Sequence, residues 1–359
     1  LTETVTRHLS VGTFIVLAAF CMASGLLPPH VDVRPTSAPS SDAGKPVHIS
    51  GSSRVAVLAP VLSTYAAIVG SLKNVRAVSK YAPLSENNGA FRFAFPGLSS
   101  LPVLSVIGVI PDPELVLRSG PDAVIVWRNH SRALYAAGYP GLVELDWTGK
   151  DGDDERLWNF LGKVLNEGSR AVRLCREAQL RRQALLARLP RQQAVTVLLM
   201  SPHDTASVWI GGKNYFLKSL LRDLRVVNVA SDLGSGEFGP EQILRYDPDI
   251  ILVPSDTEDD ELSDIYGNPV WQALRAVRER RIYLIPHTSP FNLPVDETAL
   301  LFWLAEIFYP SLPHTTRAAY FSAYAEGYGY NLSDHEIDVA LHLRQNARAF
   351  GYERFQAAP

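Results

Sequence analysis

One pattern occurs twice in this chain and limits its fold more than any other feature. Pro113-Glu114, Leu117-Arg118, Pro121-Asp122 and Val126 return as Pro240-Glu241, Leu244-Arg245, Pro248-Asp249 and Val253, every match at the same offset of 127 residues. Proline suits the first turn of a helix, where its missing N–H has no partner to lose, and a glutamate beside it is favoured by the positive end of the helix dipole. Pro121 and Pro248 stop each short helix, and the aspartates lead into runs of four apolar residues that need burial in a sheet. Each copy reads as a helix-turn-strand unit, and the pair reads as two lobes of one architecture. On spacing alone, the two glutamates need do no more than stabilise two helix starts.

A length of 359 residues fits two lobes, since ordinary domains run to about 100–200 residues. The 34 basic and 37 acidic residues give a net charge of −3 without any block of like charge, so nothing favours nucleic acid as a partner. Residues 1–25 read as a cleaved export signal: Arg7 and His8 precede an uncharged stretch that ends near the small triplet Ala23-Ser24-Gly25. A membrane-spanning anchor is the competing reading, but it wants about 20 apolar residues, and this stretch is diluted by Gly12, Thr13, Ser24 and Gly25. Cys21 follows the bulky Phe20, which argues against a lipid anchor. After cleavage Cys175 is the one cysteine left, and no intrachain disulfide is possible. Residues 26–53, rich in Pro, Ser, Asp and Gly, read as a disordered linker.

Beyond the linker, residues 54–152 alternate strand and helix signals: an apolar strand at 55–59, a helix from Thr64, a strand at 75–78. The stretch 85–100 breaks the pattern with Asn87-Asn88-Gly89 and with Phe91, Phe93 and Phe95 around Arg92, a loop length often tied to function. Residues 153–190 have helical periodicity, acidic residues at the start and Pro190 at the end, so one long helix of about 54 Å is expected to join the lobes. The bland alternative is two helices broken near Gly168 and Ser169. The α/β pattern restarts over 191–312, with strands at 195–200, 250–253 and 282–285 and helices at 215–224, 269–280 and 294–308. Asn268-Pro269 is a specific helix-start signal there. A largely helical tail, 313–359, packs on the lobes. The expected fold is α/β: two Rossmann-like lobes joined by a single long helix, with a ligand cleft between them.

Together with Tyr328-Gly329-Tyr330-Asn331-Leu332-Ser333-Asp334-His335-Glu336-Ile337, these units resemble the iron-siderophore, haem and vitamin B12 binding proteins of ABC importers, of the two-lobed, helical-backbone type. The similarity runs from about Arg54 to Leu343. It implies two rigid lobes that move little, a ligand in the cleft, and one surface glutamate per lobe meeting arginines on an inner-membrane permease dimer; Glu114 and Glu241 occupy those places. It further implies a periplasmic monomer whose ligand is an iron complex, a siderophore-type chelate ranking above haem and corrinoid.

In open α/β sheets the ligand residues come from loops after the strands. Those loops hold Tyr65, Arg92, Trp127, Arg128 and His130 in the first lobe, and His203, Trp209, Tyr215, Phe238, His287 and Phe291 in the second. Aromatic rings would pack on a bulky chelate, and Arg92 or Arg128 would meet its carboxylate or catecholate oxygens. Trp127 and Trp209 serve a core equally well, and a lone loop histidine is more often solvated than a ligand. No His-x-His or close His/Asp/Glu set calls for a resident metal, and no cofactor motif is present. The rival from another class is a two-lobed transferase. Gly211-Gly212-Lys213 matches neither a phosphate-binding loop nor a dinucleotide turn, and no Gly-x-Ser-x-Gly elbow occurs, so no catalytic residue is assigned. A surface receptor for a partner protein is the third reading.

Overall fold

The computed structural model describes residues 49–82, 89–148, 152–190, 195–202, 208–213, 217–255, 261–286 and 292–357. The export signal and most of the linker lie outside the described residues. Ile49, inside the expected linker, is packed against the fold: it is buried and its N–H donates to the Val164 carbonyl at 3.0 Å.

Six strands build the first lobe: β1 (Val55–Val57), β2 (Val75–Val78), β3 (Ser105–Ile107), β4 (Ile110–Pro111), β5 (Ala123–Trp127) and β6 (Leu142–Leu145). Four of them form a parallel sheet in the order β2-β1-β5-β6, while β3 and β4 pair as a separate hairpin. Helix α1 (Leu62–Val69) follows β1, and α2 (Pro113–Ser119) is the first copy of the repeated helix. Two helices, α3 (Asp153–Val164) and α4 (Gly168–Leu186), then lead to the second lobe. There β7 (Thr196–Pro202), β8 (Val208–Ile210), β9 (Val227–Asn228), β10 (Gly236–Phe238), β11 (Ile250–Val253) and β12 (Ile282–Leu284) form one sheet in the order β10-β8-β7-β11-β12, with β9 beside β7. Strands β11 and β12 run parallel to β7, whereas on the other side β8 pairs antiparallel with β7 and β10 antiparallel with β8. Helix α5 (Pro240–Leu244) is the second copy of the repeated helix, and α6 (Thr298–Phe308), α7 (Thr316–Tyr328) and α8 (Asp334–Ala340) complete the chain.

Strand side chains alternate between faces, and here the alternation decides which core each residue enters. Val55, Val57 and Ile125 of the first sheet share one continuous core with Val197, Leu199, Ile250 and Leu252 of the second, filled out by α3, α4, α6 and α7. The opposite faces have private cores: Ala56, Leu58, Val124 and Val126 in the first lobe, Leu198, Met200, Ile251 and Val253 in the second. Each large apolar side chain so buried contributes about 1.5–3 kcal/mol. The joint between the lobes is therefore packed protein rather than a bare hinge.

The segment expected as one helix over 153–190 is two. Asn166 adopts φ 58°, a left-handed conformation that asparagine tolerates better than most residues. Gly162 then lets the chain fold back, since a Cβ there would lie 2.6 Å from the Ala171 Cβ. The bridging role falls to α4 alone, 19 residues or about 28 Å long. Near its start Arg170 donates to the carbonyls of Ala67 at 2.9 Å and Gly327 at 3.0 Å. Near its end Arg182 donates to Asp223 at 2.6 Å. A second correction concerns 269–280. Asn268 does cap the turn, but Leu274 is extended and splits it into a 3-10 turn, Trp271–Ala273, and a short helix, Arg275–Arg278.

The aromatic stretch after residue 90 is structural. Phe91 and Phe95 lie 4.7 Å apart and pack edge-on against Tyr328 of α7 at 5.3 and 5.4 Å. The tail is held as firmly: Asn346 exchanges hydrogen bonds with the backbone of Leu284 on β12, and Glu306 accepts from the first backbone N–H groups at the start of α7.

Candidate ligand-binding site

Parallel strands end together, and the carboxyl ends of β1, β5 and β6 open onto a pocket of about 410 Å³. Open α/β sheets bind ligands at this edge. Trp127 ends β5, and the chain turns at once into a 3-10 turn, Arg128–His130, which presents Arg128, Asn129 and His130 to the pocket. The Ser131 hydroxyl secures that turn, its single O–H placed between the Arg128 carbonyl at 2.9 Å and Glu144. From the end of β6 come Leu145, Asp146 and Trp147; Pro60 follows β1, Tyr81 lies beyond β2, and Val109 arrives from the β3–β4 hairpin.

Trp147 is fixed by its indole N–H, which donates to Asp154 at 2.8 Å, and the next residue, Thr148, donates from its backbone and hydroxyl to Asp153 at 2.8 Å. The start of α3 thus holds one wall of the pocket. Arg128 faces Asp146 at 3.6 Å, and both side chains are more than half exposed. Such a pair contributes little to stability, which leaves the guanidinium able to exchange Asp146 for a ligand oxygen. Burial lowers the pKa of His130, so its imidazole is neutral near neutral pH, and its Nδ1 has no hydrogen-bond partner among the described residues. No group of three potential metal ligands occurs among the described residues. The chemistry assembled is an aromatic wall, one cation paired with a carboxylate, and one neutral imidazole.

Of the residues expected to meet the ligand, Trp127, Arg128 and His130 line this pocket. Tyr65 does not: it is buried in the core on α1, where burial pushes its hydroxyl up to about 12. Arg92 lies over the Phe93 ring at 5.0 Å, away from the pocket lining. Trp209 is buried in β8, opposite Ser201 and Glu237, and Phe238 is half-buried against the private core of the second lobe. His203, Tyr215, His287 and Phe291 lie outside the described residues. Sequence reasoning missed Tyr81, Asp146 and Trp147. Their signal was position, one or two residues past β6 and three past β2, the places that the strand-end rule singles out.

The repeated helices display Glu114 and Glu241 on the surface, both exposed. The first helix is capped by Asp112, whose side chain accepts from the N–H groups of Glu114 and Leu115, while Gly239 starts the second with no side-chain cap.

The model of a family described as periplasmic binding protein matches residues 111–288, which span both copies of the repeat. No curated protein sequence matches the chain significantly. Among solved structures, a periplasmic solute binding protein of Veillonella parvula is 22% identical and superposes with a TM-score of 0.68 over 82% of this chain and 93% of that one. CeuE of Helicobacter pylori with Ni(II) bound is 17% identical, with a TM-score of 0.64 over 82% of this chain and 96% of that one. The molybdate binding protein MolA of Haemophilus influenzae, bound to molybdate, is 17% identical, with a TM-score of 0.62 over 80% and 95%. At these identities the likeness is one of fold.

Proposed function

We propose, from the premise that this chain belongs with the periplasmic binding proteins, that it is the extracytoplasmic substrate-binding protein of an ABC importer and carries an iron complex to a membrane permease. A siderophore-type chelate is the favoured cargo, ahead of haem and corrinoid. The observation that carries this reading is the pocket itself: Trp127, Trp147 and Tyr81 offer apolar walls, and Arg128 offers a charge-assisted contact to a carboxylate or catecholate oxygen. Neighbours of the same fold hold nickel and molybdate, which agrees with a metal-containing cargo. The cargo brings its own metal, so the protein needs to recognise the complex and not to build a coordination sphere.

Delivery rests on the exposed glutamates. One carboxylate on each lobe suits docking onto a pair of basic sites on a permease dimer, and the packed joint between the lobes keeps the distance between Glu114 and Glu241 nearly constant. Export by a cleaved signal would place the protein in the periplasm, where it acts as a monomer. The absorption spectrum of the purified mature protein, taken with ferric catecholates, ferric hydroxamates, haem and corrinoids, tests the cargo, because these chromophores differ and shift on binding. A shift with one iron-chelate class is expected. Silence across the panel would favour a receptor for a partner protein, and steady turnover of a nucleotide or sugar-nucleotide donor would favour a transferase.

A further inference from the structure

We propose that Asp296 stores a proton inside the joint between the lobes, and that the joint is tightest while that proton is bound. Asp296 lies on a π-helical turn, Leu293–Glu297, that feeds α6 and packs on both α4 and α7. Turns of this kind are rare and recur at functional places. Among the described residues, every partner that reaches Asp296 by hydrogen bonding is neutral. Asn292 Nδ2 donates to Oδ2 at 2.7 Å and also to the Tyr328 hydroxyl at 2.6 Å; the Tyr324 hydroxyl donates to Oδ1 at 3.2 Å. Asn292 is wholly buried, and its Oδ1 has no partner among the described residues, so the network is short of donors. A bound proton on Asp296 adds one where water does not reach.

The charged groups facing the turn from each packed element favour the same outcome. From the turn itself comes Glu297, from the start of α3 Asp154, and from α7 the phenols of Tyr320, Tyr324 and Tyr328. The nearby cation, Arg182 on α4, acts on Glu297 and is already bound to Asp223. An unpaired carboxylate in such a place is strongly disfavoured, and the group takes a proton instead. In agreement, burial raises the Asp296 pKa to about 7 against the pull of hydrogen bonds from Asn292, Tyr324 and Tyr328, and burial followed by the like charge of Asp154 raises Glu297 to about 8.

A raised carboxyl pKa makes the folded state bind the proton more tightly than the unfolded chain does. Its stabilising contribution is full below the ordinary carboxylate value and is lost as pH rises through the folded value. For Asp296 that window runs from 3.8 to about 7, and for Glu297 from 4.5 to about 8. His342 works in the opposite sense below 6.5, because burial lowers it to about 4, but it does so equally in wild type and variants and cancels from their comparison. The inference is independent of the cargo.

Thermal melts at about pH 5.5 and about pH 8.5 test it. In a Glu297→Gln background, Asp296→Asn should lose at least half of the pH-dependent fall in Tm that the Glu297→Gln parent shows, since the asparagine amide takes the place of the acid O–H. A direct readout covers the case in which that variant does not fold. In Glu297→Gln protein, an infrared carboxylic-acid C=O band should persist above the range where exposed carboxylates ionise and vanish near neutral pH. Tyr324→Phe, which removes a donor to the anion, should move its disappearance to higher pH. Equal pH dependence in Asp296→Asn and its parent, or no such band at about pH 6, overturns the proposal.

Discussion

In the first lobe Asp122 accepts the Arg54 backbone N–H at 2.7 Å and its guanidinium at 2.9 Å; in the second, Asp249 accepts the Thr196 backbone N–H at 2.9 Å, the Thr196 hydroxyl at 2.7 Å and Arg275 at 2.7 Å. The two repeated aspartates thus perform one task. Each stands just before the strand of its unit, β5 or β11, and ties it to the start of the first strand of its lobe, β1 or β7. The difference lies in exposure, since Arg54 and Asp122 are about half exposed (53% and 46%) whereas Asp249 is only 25% exposed. A repeat therefore preserves a connection while leaving its energy to the surroundings. The helix starts differ in the same way, one capped by Asp112 and one begun by the bare Gly239.

Backbone collisions should give the largest effects. A Cβ at Gly141 would lie 2.2 Å from the Asp122 carbonyl oxygen, and one at Gly212 would lie 2.3 Å from that of Leu233. Gly141→Ala and Gly212→Ala should each cost about 3 kcal/mol or more in urea unfolding. Because the lobes share a core, both variants should still unfold in a single transition; two separate transitions would break the shared-joint reading.

Next in size are the aspartates. Asp249→Ala should cost about 2 kcal/mol, because it strands partly buried donors on Thr196 and Arg275, and Asp122→Ala should cost measurably less. Equal losses would mean that burial does not set the difference. The pKa shifts of the two aspartates run in the same direction, downward, Asp122 through its bonds to Arg54. Burial pushes the Asp249 pKa up, but the Thr196 donors and Arg275 outweigh it and the net shift is downward. Its contribution is therefore present above the ordinary value of 3.8 and lost as pH falls through the folded one.

The caps should give the smallest effects. Asp112→Ala should destabilise by about 1 kcal/mol, and Gly239→Asp should stabilise by a few tenths of a kcal/mol. Gly239 already has the extended backbone of an N-cap, and a Cβ there meets nothing within 4 Å. The glutamates of the same helices should be silent in stability, within about 0.5 kcal/mol, yet Glu114→Ala combined with Glu241→Ala should abolish delivery of bound cargo in a transport assay while leaving cargo binding intact.

The two-lobed architecture was legible because it is written in periodicity: four apolar residues after Asp122 and four after Asp249 have to be strands buried on both faces. The helix starts that carry Glu114 and Glu241 were legible because helix starts have a local chemistry. The helix break was legible only as the alternative near Gly168 and Ser169, since the helical pattern continues through Asn166 and the close approach of Gly162 to Ala171 that favours folding back is a tertiary contact. Arg92 and Tyr65 were misplaced for a related reason. An aromatic-rich loop and a loop-edge tyrosine look alike in sequence whether they face a ligand or a helix, and here Phe91 and Phe95 face Tyr328. Trp147 and Asp146 could have been found by counting past every strand rather than by looking for conspicuous clusters.

Trp127 and Trp147 stand in the pocket beside Arg128, so tryptophan fluorescence titrated with a panel of ferric chelates tests the central claim most directly. Saturable, one-site quenching by one chelate class is expected, weakened by about tenfold or more in Arg128→Ala, the loss of one charge-assisted contact. Quenching by none of them, or equal affinity in Arg128→Ala and wild type, would contradict it.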